Sequence, residues 1–213
     1  MPRPRFQKLP LEKQVQIFEA AAREFAANGY DGASINKILD VAQLSKGAAY
    51  YYFDDKADLF AATIQYYAAG LVSDLATSVE QLTVATFWPA LTDRYAQQFA
   101  DFYDRPWAFG AIKAAGRLSP QTLAALPTLA ATFGQVQQGL AGLIRKGQTL
   151  GLVRTDLPED LLVALFIGVD DATDQWVLSH WHLLSEAELV TTARRVMLGM
   201  SRMLTPPAEV SCA

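Results

Sequence analysis

The chain has 213 residues, enough for one large or two small domains, and 51% of them are hydrophobic, which excludes global disorder. A formal net charge of −4 excludes a protein coated in basic charge. The one cysteine, Cys212, excludes an intramolecular disulfide and a thiolate metal cluster.

Residues 1 to 10 carry Arg3, Arg5 and Lys8 with three prolines and no acid. They read as an arm, either a disordered terminus or one that reaches into a minor groove. No apolar run follows these bases, so no signal peptide is visible. The longest apolar run, Leu161 to Val169, stops at Asp170 and Asp171, short of the about 20 residues a membrane span needs. A cytoplasmic protein that does not enter a membrane is expected.

Leu11 to Asn28 reads as an amphipathic helix with Phe18, Ala21, Ala22 and Phe25 on one stripe. Asn28-Gly29 ends it, and Tyr30 to Ala33 reads as a loop. Ser34 is a suitable N-cap for a short helix with Ile35, Ile38, Leu39 and Ala42 on its apolar face. A break is expected at Gln43-Leu44, after which Ser45 caps a second short helix. Its first turn is almost bare: Lys46, Gly47, Ala48, Ala49. A helix that only fills a core gains nothing from such a turn, whereas one that presses its backbone against another surface does. Tyr50, Tyr51, Tyr52 and Phe53 cannot all face one side at helical spacing. Asp55, with Asp58 three residues on, caps the next helix. Lys56 sits in that helix's first turn, where the dipole disfavours a cation unless an anion lies nearby. The stretch reads as a helix-turn-helix whose second helix enters a major groove, or else as a helical hairpin with core aromatics.

Phe25, Gly29, Tyr30, Ser34, Ile35, Ile38, Ala42, the run Leu44-Ser45-Lys46-Gly47, Tyr50, Tyr52, Phe53, Lys56 and Leu59 form a long spaced pattern. By that pattern, residues 11 to about 71 resemble the DNA-binding domain of the tetracycline-repressor (TetR) family of bacterial regulators. The resemblance implies an all-α fold: a three-helix DNA-binding domain over 11–71, then a helical ligand-binding and dimerisation domain over 72–205. It implies DNA contacts from Ser34, Gln43, Ser45, Lys46, Gly47, Ala48, Tyr50, Tyr51 and Lys56, with Tyr52 and Phe53 as packing residues. Two positions depart from the family pattern. A glycine is usual where Gln43 stands, and a threonine or similar residue where Ala48 stands.

Helical patterns continue to the end of the chain, with no strand and no internal repeat. They run from Asp55 to about Gln81, Phe87 to Tyr103, Trp107 to Gly116, a short helix after Pro120, and Pro127 to about Leu150. Pro158 opens the next at its first helical position, with a stripe of Leu162, Leu165, Phe166, Val169, Ala172, Thr173 and Trp176. The last runs from Ser185 to Leu204, with Ser185 and Glu188 spaced for a capping box. Trp88, Tyr95, Phe99, Trp107, Asp170, Asp174 and Trp176 are the candidate ligand-binding residues, although the stripe of Trp88, Tyr95, Phe99 and Phe102 also reads as core. Asp170 and Asp174 are one turn apart on a helical face, suited to a solvated face, to pairing with an arginine across a dimer interface, or to a cationic ligand.

No nucleophile–base pair, phosphate-cradling glycine loop or metal-ligand spacing is present, so neither an enzyme nor a cofactor is expected. The expected function is a homodimeric repressor bound to double-stranded operator DNA and released by a small-molecule effector. The dimer would form through the last two helices. The alternative is a helical small-molecule sensor or carrier that has lost DNA binding, suggested by the excess of acids over bases in residues 11 to 60 and by Ala48.

Overall fold

The computed structural model describes residues 2–207, without the side chains of Lys46, Ala48, Ala49 and residues 70–78. Cys212 lies outside these residues. Among them the secondary structure is ten α-helices with three 3-10 turns and no strand. The chain divides into two compact units that are not contiguous spans. The first joins residues 1–70 to 105–133, and the second joins 71–104 to 134–213. The sequence division at residue 71 therefore omits a later stretch that packs with the N-terminal helices.

In the first unit, α1 (Leu11–Gly32) buries Phe18, Ala21, Ala22 and Phe25, the stripe its periodicity predicts, together with Ile17 and Ala20. Gly29 takes φ 66°, which breaks the helix where expected, but one further turn runs on to Gly32. α2 (Ile35–Val41) starts at Ser34, whose Oγ accepts from the Lys37 amide. α3 (Lys46–Tyr52) and α4 (Lys56–Ser78) follow. Asp55 accepts from the Asp58 amide at 2.8 Å, and Asp58 in turn accepts from the Asp54 amide at 3.3 Å. α6 (Pro106–Gly116) packs against α1. Across that contact the Arg23 guanidinium of α1 lies over the Trp107 ring of α6, 4.6 Å from its centroid. The short α7 (Pro120–Ala124), capped by Ser119, completes this unit with the start of α8 (Pro127–Thr149).

The residues ahead of α1 overturn the disordered-arm expectation. Phe6 opens a 3-10 turn, Phe6–Lys8, and is buried against Phe18 and Phe53, with ring centroids 5.0 Å away in each case. The Arg3 amide donates to the Tyr52 carbonyl at 2.9 Å, and the Arg3 guanidinium pairs with Asp54. An aromatic anchor and an ion pair thus fold this segment onto the α3–α4 junction.

In the second unit, α5 (Phe87–Phe102) packs on α10 (Glu186–Leu204), with Arg194 bonded to Asp93 at 2.6 Å on the rim. Ser185 and Glu188 form the predicted capping box. α9 (Glu159–His180) begins one residue later than predicted, with Pro158 as its cap. Its predicted stripe is two faces, not one. Leu162 is fully buried in the core with Phe87, Val153 and Leu204, whereas Ala172 and Trp176 are exposed. The loop between α8 and α9 turns at Gly151, φ 71°, and is tied down by the Arg154 amide donating to Leu204 at 2.8 Å.

Gly147 in α8 accepts from the amides of Leu152 and Val153 as that loop folds back. A Cβ on Gly147 would overlap Val153 Cγ2 and come 2.7 Å from Phe87 Cζ. Val153 is β-branched, buried and fixed by the turn, so it cannot retreat. Overpacking outweighs the gain in helix propensity, and Gly147→Ala is expected to cost about 1–2 kcal/mol. Urea titration of Gly147→Ala, Val153→Ala and the double variant checks it. The steric account requires a double-variant loss smaller than the sum of the single losses.

Candidate nucleic-acid interface

The α2–turn–α3 stretch is held from three directions. Glu24 of α1 accepts the Ser34 amide at 2.9 Å. Lys13 of α1 donates to the Ala42 carbonyl at 2.7 Å, where α2 ends. The Leu44 amide bonds back to Leu39 at 2.8 Å. Ser34 itself is satisfied locally as a cap, with its Oγ 3.4 Å from the Lys37 nitrogen.

Between the helices, Gln43 has φ 51° and is the one non-glycine residue with positive φ among the described residues. This accounts for the departure noted from sequence: a glycine suits that position because the turn needs the left-handed conformation. The strain in Gln43 exceeds the chain-entropy cost of a glycine, so Gln43→Gly is expected to stabilise the protein by about 0.5–1 kcal/mol. The readout is the urea midpoint; an unchanged or lower midpoint would count against strain at Gln43.

α3 presents its tyrosines outward. Tyr50 is 59% and Tyr51 47% exposed, while Tyr52 is half-buried and Phe53 buried, the packing role expected of the last two. Tyr50 also lines a small apolar cleft with Ile38, Leu39 and Leu44. Gly47 is exposed, and a Cβ built there meets nothing within 4 Å. No neighbour among the described residues therefore demands glycine at 47. Ser45 immediately precedes α3 and is exposed.

Lys56 has a local explanation that the sequence did not suggest. Its Nζ donates to the carbonyls of Asp31 (3.1 Å) and Ala33 (3.4 Å) and lies 4.8 Å from the Tyr30 ring centroid. The cation at this helix start serves the carbonyls that end α1. Burial raises the Tyr30 pKa, with the nearby Asp55 and Asp31 charges acting in the same direction.

The candidate ligand-binding residues fall into separate places. Tyr95, Phe99, Asp170 and Asp174 belong together in the second unit. Tyr95 and Phe99 meet edge to face at 5.5 Å, and Asp174 is only 1% exposed. Burial pushes the Tyr95 hydroxyl far above its usual pKa, and the charges of Asp170 and Asp174 add to this. Asp170, Asp171 and Asp174 bring carboxylate oxygens within 4.8 Å of one another. Trp88 instead packs on Phe87 at 4.9 Å, against the core. Trp107 lies in the first unit, with Tyr67 edge-on and Arg23 over its ring at 4.6 Å. Trp176 is 45% exposed, stacks on His180 and lines an open apolar groove of about 610 Å³ with Leu165, Gly168, Val169, Ala172 and Val196. No helix among the described residues is long and apolar enough to cross a membrane.

Two short helices joined by a tight turn, braced by a longer helix and exposing tyrosines and a bare first turn, define the helix-turn-helix class of protein. The family described as "Bacterial regulatory proteins, tetR family" matches residues 17–63. Over those residues the chain resembles that family. It is 37% identical over 60 residues to the HTH-type transcriptional repressor AcnR of Corynebacterium efficiens, a match covering 28% of this chain and 32% of that one. The chain thus spans about a third of the length of the curated relatives it matches. In fold it is similar to the transcriptional regulator FadR from Bacillus subtilis, solved in complex with stearoyl-CoA. There the TM-score is 0.71 and the identity 19%, over 88% of this chain and 97% of that one. It is similar also to SmeT, the repressor of the Stenotrophomonas maltophilia multidrug efflux pump SmeDEF. The TM-score is 0.65 and the identity 15%, over 91% of each chain.

Proposed function

We propose that this protein is a homodimeric transcriptional repressor that holds operator DNA through α3 and releases it when a small molecule binds the second unit. The observation that carries the reading is α3 itself: an exposed helix with glycine in its first turn, for which the fold gives no reason, followed by two outward tyrosines. A bare turn lets the backbone approach base edges, and tyrosine hydroxyls donate to phosphates. Lys46, Gly47, Ala48 and Tyr50 are proposed to meet the groove, with Ser34, Gln43, Ser45 and Tyr51 at its margin. Lys56 is proposed to position the start of α2 through its carbonyl contacts. The repressors among its relatives support the direction of control.

The effector is proposed to bind beside Tyr95, Phe99, Asp170 and Asp174. The dimer is proposed to form through α9 and α10, across the apolar groove between them. In a dimer the two α3 helices would enter successive major grooves about 34 Å apart. A ligand that favours another spacing would weaken DNA binding, and DNA would weaken ligand binding equally. A protein that works on chromosomal DNA would reside in the cytoplasm.

The test is selection from a random-sequence duplex pool followed by mobility shift on the enriched duplex. Wild type should enrich a two-fold symmetric site, and Lys46→Ala with Tyr50→Ala should weaken binding by roughly 100-fold. An unenriched pool, or undiminished binding by the double variant, would defeat the reading.

A further inference from the structure

We infer that Arg5, ahead of the helices that form the DNA-binding motif, is a backbone-phosphate contact held in place on the ring of Tyr51; this rests on the DNA-binding reading above. The Arg5 guanidinium carbon lies over the Tyr51 ring, 4.3 Å from its centroid. A guanidinium over an aromatic face is attracted by the ring, yet its donors radiate in its own plane. The ring therefore restrains the cation without using its hydrogen-bonding capacity, and two adjacent N–H groups match two phosphate oxygens.

The neighbouring cations show why Arg5 differs. Arg3 is neutralised by Asp54, Arg23 by Glu19, and Lys13 and Lys56 donate to backbone carbonyls. Arg5 is exposed, and its guanidinium has neither a hydrogen bond nor an acid among the described residues. Lys8 and Lys37 are also exposed, but no aromatic ring restrains them among the described residues. The backbone at Arg5 is fixed on both sides, by the Arg3 amide on Tyr52 and by buried Phe6. Little freedom remains to be lost on binding. Tyr51 lies near the end of α3, away from the bare first turn that is read here as meeting base edges. The cation it carries therefore flanks the groove, where the sugar–phosphate backbone runs. Arg5 also lies outside the matched residues 17–63, so the family pattern does not assign it.

The experiment uses the full chain and a fluorescent duplex that wild type has enriched from a random pool, titrated from about 50 to 300 mM KCl. With two Arg5 side chains per dimer, Arg5→Ala should lower the slope of log K against log salt by about 1.8. At intermediate salt it should weaken binding roughly 10- to 100-fold, equally on duplexes altered at single base pairs. Arg5→Lys, which keeps the charge, should hold the slope and so separates charge from folding. If Arg5→Ala weakens binding with the slope unchanged, Arg5 only braces Tyr51 and the inference is wrong. If its loss is confined to one base pair, Arg5 reads a base and the inference is wrong again. A pool without enrichment would overturn the DNA-binding reading and this inference together, whereas an enriched site with an unaltered Arg5→Ala slope overturns this inference alone.

Discussion

Replacing Phe6 with alanine is expected to destabilise the N-terminal unit by about 3–5 kcal/mol, the range for removing a buried phenylalanine ring. The ring is 2% exposed and touches Phe18 of α1, Phe53 after α3 and, at 6.1 Å, Tyr52. It joins residues far apart in sequence, so closing the void would require more than one element to move. Domain stabilities run to about 5–15 kcal/mol, so such a loss is a large share of the whole. Phe6→Leu should cost less than about 1.5 kcal/mol, because volume and apolarity are nearly kept. Chemical denaturation checks both. A loss below about 1 kcal/mol for Phe6→Ala would show that this segment is not part of the core. DNA affinity should fall with stability, since the same ring steadies the end of α3.

Gly168→Arg is expected to leave the folded protomer as stable as before, or more stable by about 0.5–1 kcal/mol, while abolishing self-association at micromolar concentration. Gly168 is exposed within α9, and a Cβ there meets nothing within 4 Å. Inside a single chain, glycine at this position only weakens the helix. Its neighbours Leu165, Val169 and Ala172 line the open groove with Val196 of α10, an apolar face suited to a second copy. In a two-fold interface the substitution enters twice. Each buried, unpaired guanidinium would cost about 3–5 kcal/mol, which raises the dissociation constant by several orders of magnitude. Light scattering after size-exclusion chromatography gives the mass, and a urea titration gives the protomer's stability. A variant that remains dimeric would remove this face as the interface.

What was legible in the sequence was local. Ser34 and the Ser185–Glu188 pair cap helices because a cap needs only residues within one turn. Gly29 breaks α1 because no other residue type takes φ 66° as readily. The helix-turn-helix was readable because its turn, bare helix and tyrosines lie within about twenty residues. The rest depended on partners distant along the chain. Nothing local to Phe6 indicates that Phe18 and Phe53 will enclose it, and nothing near Lys56 announces the carbonyls of Asp31 and Ala33. The α9 stripe was misread because that helix is apolar on two sides, one toward its own core and one toward the groove. Among the ligand candidates, aromatic spacing left core and pocket lining open: Tyr95 and Phe99 are buried, and Trp88 packs against the core.

The make-up of the first unit has a consequence during synthesis. α1 finds its packing partner in α6, which emerges from the ribosome some eighty residues after α1 is complete. Until then, the side of α1 that packs on α6 is left uncovered. A nascent chain stalled near residue 71 would present that side to a chaperone. A fragment cut there to isolate the DNA-binding motif would lack the same partner. The practical unit for dissection is therefore a chain reaching through residue 133, or a permuted one in which α6 directly follows the helix-turn-helix.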